Sequence, residues 1–491
     1  MLVIVHHKSN PKSNPKLILI SSTISMPSHT LLNNLLKCLI ISGLLIHLIS
    51  ISSFNNNNSL LYTSISLTKP SSSDHPCNAT HIVFGIAATA STWSHRKHSV
   101  ESWWHPNLTR GYVFLDKIKP ELLPWPNHTL PPFRVSQDTS RYKDYDKHTA
   151  RDAIRMARIV TELFEIEEAG RGEVRWFVMA DDDTVLFVDN LVDVLNRYDH
   201  RKFLYIGMNS ETHASNVMHS FEMAFGGAGY ALSYPLAAAL AANMDVCLER
   251  YPDLYGSDHI IQSCVADLGV SITRELGFHQ IDLHRDISGF LSSHPRAPLV
   301  SLHHLDQVEP IFPAMSRDES LKHLMAAARA DESRLLQQSI CYDELKNWTI
   351  SIAWGYSVQI YEAIVNPSAL QRPIETFVPW TKFARPFFVF NTRGLPSRHP
   401  CEAPHQFFFR SVERGRRVVT RYGRARPRGL PACSVTGNHS AEFVADVVVS
   451  SPAAKFDVIG NRRECCDVLN VKGGNATEIK FRDCRQNEII P

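Results

Sequence analysis

From residue 80 onward the chain alternates unbroken apolar runs with segments whose apolar residues recur every three or four positions. The runs "HIVFGIAAT" (81–89), "GYVFLD" (111–116), "RWFVMA" (175–180) and "KFLYIG" (202–207) read as buried strands. Between them, residues 151–164 place Ala153, Met156, Ala157, Val160 and Phe164 at helical spacing. A second helix is predicted over 235–244, opening on Pro235, where proline is tolerated. A third lies in "YGSDHIIQSCVADLG", with Ile261, Cys264, Val265 and Leu268 as its apolar stripe and Gly269 as its stop. Strand–helix alternation of this kind predicts an α/β domain whose mostly parallel sheet is flanked by helices. Catalytic groups in such sheets gather at the carboxyl ends of strands.

Past residue 310 the pattern changes. Residues 315–347 predict a charged helix, and 350–491 are richer in aromatics, Arg, Pro and Cys. Short strand-like runs there, such as "PFFVFN" and "EFVADVVVS", predict a separate β-leaning C-terminal module. Eight arginines crowd between Arg410 and Arg428; they could face an acidic or phosphate partner, but a solvated loop is the expected reading.

The N-terminus has its own pattern. No acidic residue precedes Asp74, and Lys8, Lys12, Lys16 and Lys37 lead into "CLIISGLLIHLISISSF" (38–54), which is free of formal charge. Its 17 residues reach the lower limit for a bilayer span. The lysines place the preceding side in the cytoplasm. A cleaved signal peptide is the alternative, but the leader is long and no small-residue cleavage site follows. The expected plan is a cytoplasmic tail (1–37), a transmembrane signal anchor (38–54), a Ser/Asn-rich stem (55–76), a catalytic domain (77–310) and a C-terminal module (311–491).

Glycosylation sequons follow the span at Asn78, Asn107, Asn127, Asn347, Asn438 and Asn475. Nine of the ten cysteines also follow it, six of them in the last third, a density that suits disulfides in an oxidising compartment. Nine is odd, and the pairing is not legible from spacing. With 491 residues and 44% apolar content the chain is globular, and a formal charge of +2 gives no reason to expect nucleic acid as a partner. P-loop, G-x-G-x-x-G, H-E-x-x-H and C-x-x-C motifs are all missing from the sequence.

Candidate chemistry centres on Asp181, Asp182 and Asp183, three like charges directly after a strand run. A hard divalent cation shared with substrate phosphates would reconcile them; a solvated acidic turn is the plain alternative. The D-x-D pattern alone is weak, since Asp144-Tyr145-Asp146 repeats it without a strand before it. Context adds weight. "FGGAGYALS" (225–233) sets Gly226, Gly227 and Gly229 around one turn, where backbone can approach a ligand or simply pack tightly. Asp258 opens a helix, as a cap or as a base kept ionised by the helix terminus. Histidines follow at His279, His284, His303 and His304, and a histidine returning to an aspartate-bound metal is common chemistry.

Taken together, a strand ending in Asp-Asp-Asp, "FGGAGYALS", "YGSDHIIQSCVADLG", "GFHQIDLH" and "SLHHLD" resemble the fringe and core-1 β-1,3-galactosyltransferase group. The chain looks most like the plant fringe-related glycosyltransferases, which share "FGIAA", "SLHHLD" and a cysteine-bearing C-terminal module with "RRECCD", here residues 462–467. The core resemblance covers about residues 77–310. It implies a GT-A-type fold that binds a UDP-sugar through Mn²⁺ and transfers the sugar with inversion, usually to a β-1,3 linkage on a glycan or glycoprotein.

By that resemblance Asp183 is a metal ligand, Asp181 and Asp182 are donor-side carboxylates, and Asp258 is the catalytic base. Asp116, Gly226 and Gly227 join the donor-binding set. For the metal histidine, animal fringes read Phe-His-x-His-Leu-Glu, whereas "FHQIDLHRD" carries extra residues here; His284 is the expected ligand, with His304 next. A Golgi type II membrane glycosyltransferase is the resulting expectation. Two other classes stay open: a lumenal glycan-binding protein that kept the fold without catalysis, and a metal-dependent phosphatase or nuclease, for which no second metal cluster is legible.

Overall fold

In the computed structural model the described residues are 76–143, 151–168, 173–382, 385–396, 398–434, 439–458, 460, 462–469 and 475–489. The expected anchor at 38–54, Asp144, Asp146 and Asn438 lie outside them. Among the described residues no helix is long and apolar enough to cross a membrane.

The apolar run after residue 80 becomes β1 (Ile82–Ala87), buried along its whole length. Its side chains alternate between two cores. Ile82, Phe84 and Ile86 join one, Val83 and Ala87 the other. That is why the run reads as continuously apolar instead of alternating. The chain continues through α1 (Trp93–Trp103), β2 (Arg110–Leu115), β3 (Phe133–Val135), α2 (Arg151–Glu168), β4 (Trp176–Asp181), β5 (Val185–Leu186) and α3 (Val188–Leu195). Then come β6 (Tyr205–Gly207), α4 (His213–Met218), β7 (Tyr230–Ser233), α5 (Tyr234–Arg250), α6 (Ser257–Asp267), β8 (Ile272–Arg274), β9 (Leu283–Arg285), α7 (Ser288–Leu291), β10 (Ser301–Leu302) and α8 (Arg317–Ala330).

Seven strands form one sheet in the order β3-β2-β1-β4-β7-β6-β8. All run the same way except β7, which pairs antiparallel with β4 and β6. The expected mostly parallel sheet is therefore present, with one reversed strand beside the strand that carries the aspartates. Helices α2, α5 and α6 pack on one face, through Val160, Leu240 and Ile261 among others. Cys247 of α5 is disulfide-bonded to Cys264 of α6.

The C-terminal half contributes β11 (Gln338–Asp343), β12 (Trp348–Ala353), β13 (Ser357–Tyr361), α9 (Pro367–Leu370), β14 (Phe377–Pro379), β15 (His405–Arg414), β16 (Arg417–Arg424), β17 (Asp446–Pro452), β18 (Cys465–Leu469) and β19 (Ala476–Arg482). Eight of these strands make a second sheet, β11-β12-β13-β15-β16-β17-β19-β18, antiparallel except for β17 with β19. Residues 76–491 form one compact unit, and the first of the two cores runs on from Phe84 and Trp103 to Leu335, Trp354 and Tyr356. Three further disulfides, Cys341–Cys466, Cys401–Cys433 and Cys465–Cys484, lie in this half, and among the described residues buried Cys77 forms no disulfide.

Three expectations need correction. The charged helix ends at Ala330, because residues 338–343 extend into β11. "PFFVFN" is not a strand; only Phe388 makes a bridge, to Thr212. The arginine run is no solvated loop: Val418, Thr420 and Tyr422 are buried at alternate positions, so it folds as the β15–β16 hairpin.

Candidate active site

β4 ends on Asp181, and the chain turns at once. Thr184 N donates to the Asp181 carbonyl at 3.1 Å, and Asp181 N donates to the Thr184 hydroxyl at 3.0 Å. That hydroxyl donates to the Gly227 carbonyl at 2.8 Å, while the Trp103 indole donates to the Thr184 carbonyl at 3.1 Å. The turn that carries three carboxylates is thus bound to both the glycine turn and α1.

The three side chains have different surroundings. Asp182 receives Arg96 Nη1 at 3.2 Å and the Thr92 hydroxyl at 3.1 Å. Asp183 faces His303 Nε2 at 3.0 Å and Arg96 Nη2 at 3.2 Å. Neither contact has hydrogen-bond alignment, so both buried Asp183 oxygens are left without a hydrogen-bond partner. Asp181 lies 3.9 Å from His303. Burial raises Asp181, although 26% of its side chain still reaches solvent. Burial and the adjacent Asp183 raise Asp182 to about 6. Burial acts upward on Asp183 as well, but His303 and Arg96 outweigh it and hold that carboxylate well below its usual range. Burial alone would lower His303; Asp183 reverses this and lifts it to about 9.

The glycine turn closes over His303. Gly229 N donates to the Gly226 carbonyl at 2.9 Å, and Gly229 sits at φ +79°. A Cβ on Gly227 would lie 2.1 Å from His303 Cε1, so any larger residue would displace that ring. Gly226 N donates to Asp258 Oδ2 at 3.2 Å, and His259 N donates to Asp258 Oδ1 at 2.9 Å. Asp258 is the second residue of α6, not its cap. Gly256, at φ +90°, precedes the helix and supplies no side chain. Asp181, Asp183, Gly226, Gly227, Asp258, His303 and His304 all line one cleft of about 450 Å³.

Other candidates lie elsewhere. Asp116 stands just past β2, where its carboxylate accepts from Ala90 N at 2.6 Å, and it does not line this cleft. His284, the expected metal ligand, is on β9 with its ring stacked on Trp380 at 4.2 Å. The structure brings His303 to Asp183 instead, because the β10–β5 pairing returns "SLHH" beside the aspartate turn. His304 is there too. Ligand atoms of Asp183, His303 and His304 all lie within 4.8 Å of one another. Arg96 is not among the sequence candidates, and His303 is one of the four candidate histidines but not the expected ligand. Arg96 comes from α1 with no motif around it, whereas His303 is the first histidine of "SLHHLD", and nothing local to that motif ranks it above His284.

This donor set suits a divalent cation. A buried carboxylate without a hydrogen bond and two imidazoles within reach of one point are what a hard-to-borderline metal binds. His303 Nδ1 donates to the Gln280 carbonyl at 3.1 Å, which fixes the ring and turns Nε2 toward Asp183.

Two family models match the chain: "Fringe-like" over residues 80–297 and "Protein of unknown function, DUF604" over residues 215–466. The chain belongs to the DUF604 family and is a fringe-related glycosyltransferase. The two matches overlap on β7, Asp258 and the "GFHQIDLH" segment, while His303, His304, Trp380 and the second sheet from β11 to β17 fall in the DUF604 match alone, and β19 lies beyond both. Among solved structures, a mannosyltransferase from Pyrobaculum calidifontis, in complex with GDP-Man and Mn²⁺, matches at 11% identity and a TM-score of 0.27. That match covers 43% of this fringe-related chain and 60% of the mannosyltransferase, and a similarity this low carries no argument.

Proposed function

We propose that the protein moves a hexose or N-acetylhexosamine from a UDP-sugar to a hydroxyl of a glycan or glycoprotein, with inversion and in a β-1,3 linkage. One observation carries the reading. Buried Asp183 stands with two histidines in a cation-sized cluster, and Asp258 lines the same cleft.

Asp183, His303 and His304 would hold a hard divalent cation, Mn²⁺ or similar, which when bound neutralises the charge of a departing diphosphate. Asp181 remains next to that cluster as a further carboxylate, and Arg96 offsets the charge of Asp182. Asp258 takes the proton of the attacking hydroxyl while the new bond forms. Two backbone N–H groups hold its carboxylate, so its direction is set before the acceptor arrives. Inversion requires a single in-line displacement, and alignment of two substrates in one cleft supplies much of the acceleration. The test offers residues 75–491, secreted, a panel of UDP-sugars with Mn²⁺ and measures UDP release. Release from no donor in the panel, with or without a glycan acceptor, would sink the reading.

The setting we propose is the Golgi lumen, with residues 38–54 as a type II anchor. Support comes from the lysines before that run, from four disulfides, and from sequons at Asn78, Asn107, Asn127, Asn347 and Asn475 that are all exposed. Protease added to sealed microsomes should spare everything after about residue 55. Digestion of the C-terminal half from outside would refute this orientation.

A further inference from the structure

A segment of the C-terminal half lies against the catalytic half beside the histidine cluster. β14 pairs antiparallel with β9, setting Val378 opposite His284 and Pro379 opposite Leu283. Trp380 N then donates to the Asp282 carbonyl at 2.9 Å. A few residues on, His213 N donates to the Phe387 carbonyl and Val389 N to the Glu211 carbonyl, each at 3.0 Å. The backbone around Trp380 is therefore held to the catalytic half on both sides.

The Trp380 indole lies almost parallel to two imidazoles. Its centroid is 4.2 Å from that of His284 at 21° and 4.8 Å from that of His304 at 16°. On the His303 side, the His304 ring is 3.8 Å from the His303 ring, whose Nε2 reaches Asp183. Ring contacts thus run from Trp380, stacked on His304, to His303, whose ring is tilted by 32° against that of His304.

His304 needs such a restraint. Its backbone sits at φ +52°, a left-handed conformation that a residue with a Cβ adopts only where its surroundings impose it. Metal-bound histidines normally have the ring fixed by a hydrogen bond from the second nitrogen. His303 has that bond, to Gln280. His304 does not: its Nδ1 is buried without a partner, and the nearest carboxylate oxygen, of Asp282, is 3.9 Å away. The indole face is what remains to hold the ring in plane.

We infer that Trp380 is a positioning residue for the metal centre: by stacking on His304 it holds that imidazole in the ligating orientation, so the DUF604-specific half completes a site whose aspartates come from the fringe-like half. The inference rests on the metal reading above. It explains why a half-exposed tryptophan, 39% accessible, is pinned at this place.

The test titrates Mn²⁺ into the full-length protein by calorimetry and follows tryptophan fluorescence in parallel. Wild type should bind with quenching, and Trp380→Leu should retain only part of that quenching. Trp380→Leu, which keeps bulk but loses the planar face, should bind Mn²⁺ about 10- to 100-fold more weakly with an unchanged apo melting temperature. Trp380→Phe, which keeps an aromatic face, should stay close to wild type. In a His304→Ala background Trp380→Leu should cost nothing further, because the indole acts through that ring. Wild-type affinity in Trp380→Leu, or an equal further loss in the His304→Ala background, overturns the inference alone. A wild type that binds no Mn²⁺ overturns it together with the metal reading. Should Trp380→Leu fail to fold, Trp380→Met, which also lacks a planar face, is measured with and without His304→Ala: wild-type affinity, or a loss that persists without His304, overturns the inference, and a loss that needs His304 supports it.

Discussion

His303 holds two roles at once: its Nδ1 donates to the Gln280 carbonyl at 3.1 Å while its Nε2 stands 3.0 Å from Asp183 Oδ1. With Nδ1 committed, Nε2 can carry either a second proton or a cation, and Asp183 favours both. Burial alone would lower the ring, and the Asp183 carboxylate beside Nε2 is what lifts it to about 9. The relationship makes Asp183 and His303 the two groups whose loss should matter most.

Asp183→Asn and His303→Ala should each abolish measurable Mn²⁺ binding in a calorimetric titration, and His284→Ala should bind with nearly wild-type affinity. His284 touches Trp380 and lies outside the cluster of close ligand atoms. A His284→Ala variant that lost the metal while His303→Ala kept it would reverse this assignment.

Gly227→Ala tests the same geometry from the backbone side. The added methyl would sit 2.1 Å from His303 Cε1, well inside van der Waals contact, so the imidazole has to move. Mn²⁺ affinity should fall at least tenfold, about 1.4 kcal/mol, as expected when a ligand is displaced from its productive position. Gly226→Ala makes a useful contrast, since its Cβ would meet Asp258 at an ordinary 3.5 Å. Equal metal affinity in the two variants would contradict the close packing of Gly227 on His303.

The sheet and the acid-bearing turn were legible in the sequence because their signals are local. β1, β2 and β4 are short apolar runs, and the aspartates follow the last of them directly. Asp258 was legible for the same reason, at the start of a periodic helix after Gly256. The histidine was not. Choosing between His284 and His303 requires knowing that β10 pairs with β5, a non-local fact carried by two residues in each strand. Arg96 sits 86 residues before Asp182, and Trp380 reaches the site through the β14–β9 pairing. Neither stands in a motif, so only the folded chain reveals them.

A buried polar group beside the site gives a pH prediction. Glu211 is buried against His279, with 3.3 Å between Oε1 and Nδ1. Burial, then Asp282, raises Glu211 to about 8, and burial lowers His279 to about 3, so near neutral pH the two form an uncharged pair. A carboxyl whose folded pKa is raised contributes its stability below the unfolded value of about 4.3 and loses it as pH climbs toward the folded one. Melting temperature should therefore fall between about pH 5 and 8 more steeply in wild type than in Glu211→Gln. Parallel curves for the two proteins would remove Glu211 from the account.

The Cys247–Cys264 disulfide joins α5 to the helix that carries Asp258, closing a loop of 17 residues. By chain entropy alone such a loop is worth about 3 kcal/mol. Cys247→Ser with Cys264→Ser should lower stability by roughly that amount in a denaturant titration while leaving Mn²⁺ affinity intact, since neither cysteine touches the metal cluster. A double variant as stable as wild type would show that the helix pair is held by its apolar contacts without the bond.

Asp258 decides between enzyme and binding protein. Its carboxylate is held by Gly226 N and by His259 N, and it lines the cleft that contains Asp183. Asp258→Asn keeps an oxygen for one of those donors and keeps the shape, but an amide cannot take up a proton. If Asp258 is the base, transfer should fall by about 10²–10⁴-fold, the usual effect of removing a general base. Donor and Mn²⁺ binding should stay within experimental error, because no contact of Asp258 reaches Asp183, His303 or His304. If its work is only to brace the glycine turn, the change loosens one backbone hydrogen bond, a loss of about 0.5–1.5 kcal/mol in stability, and transfer continues near the wild-type rate. Transfer rate, donor affinity and melting temperature measured on the same preparations separate the two cases. A large loss confined to rate assigns the base, and a small loss confined to melting temperature assigns the brace.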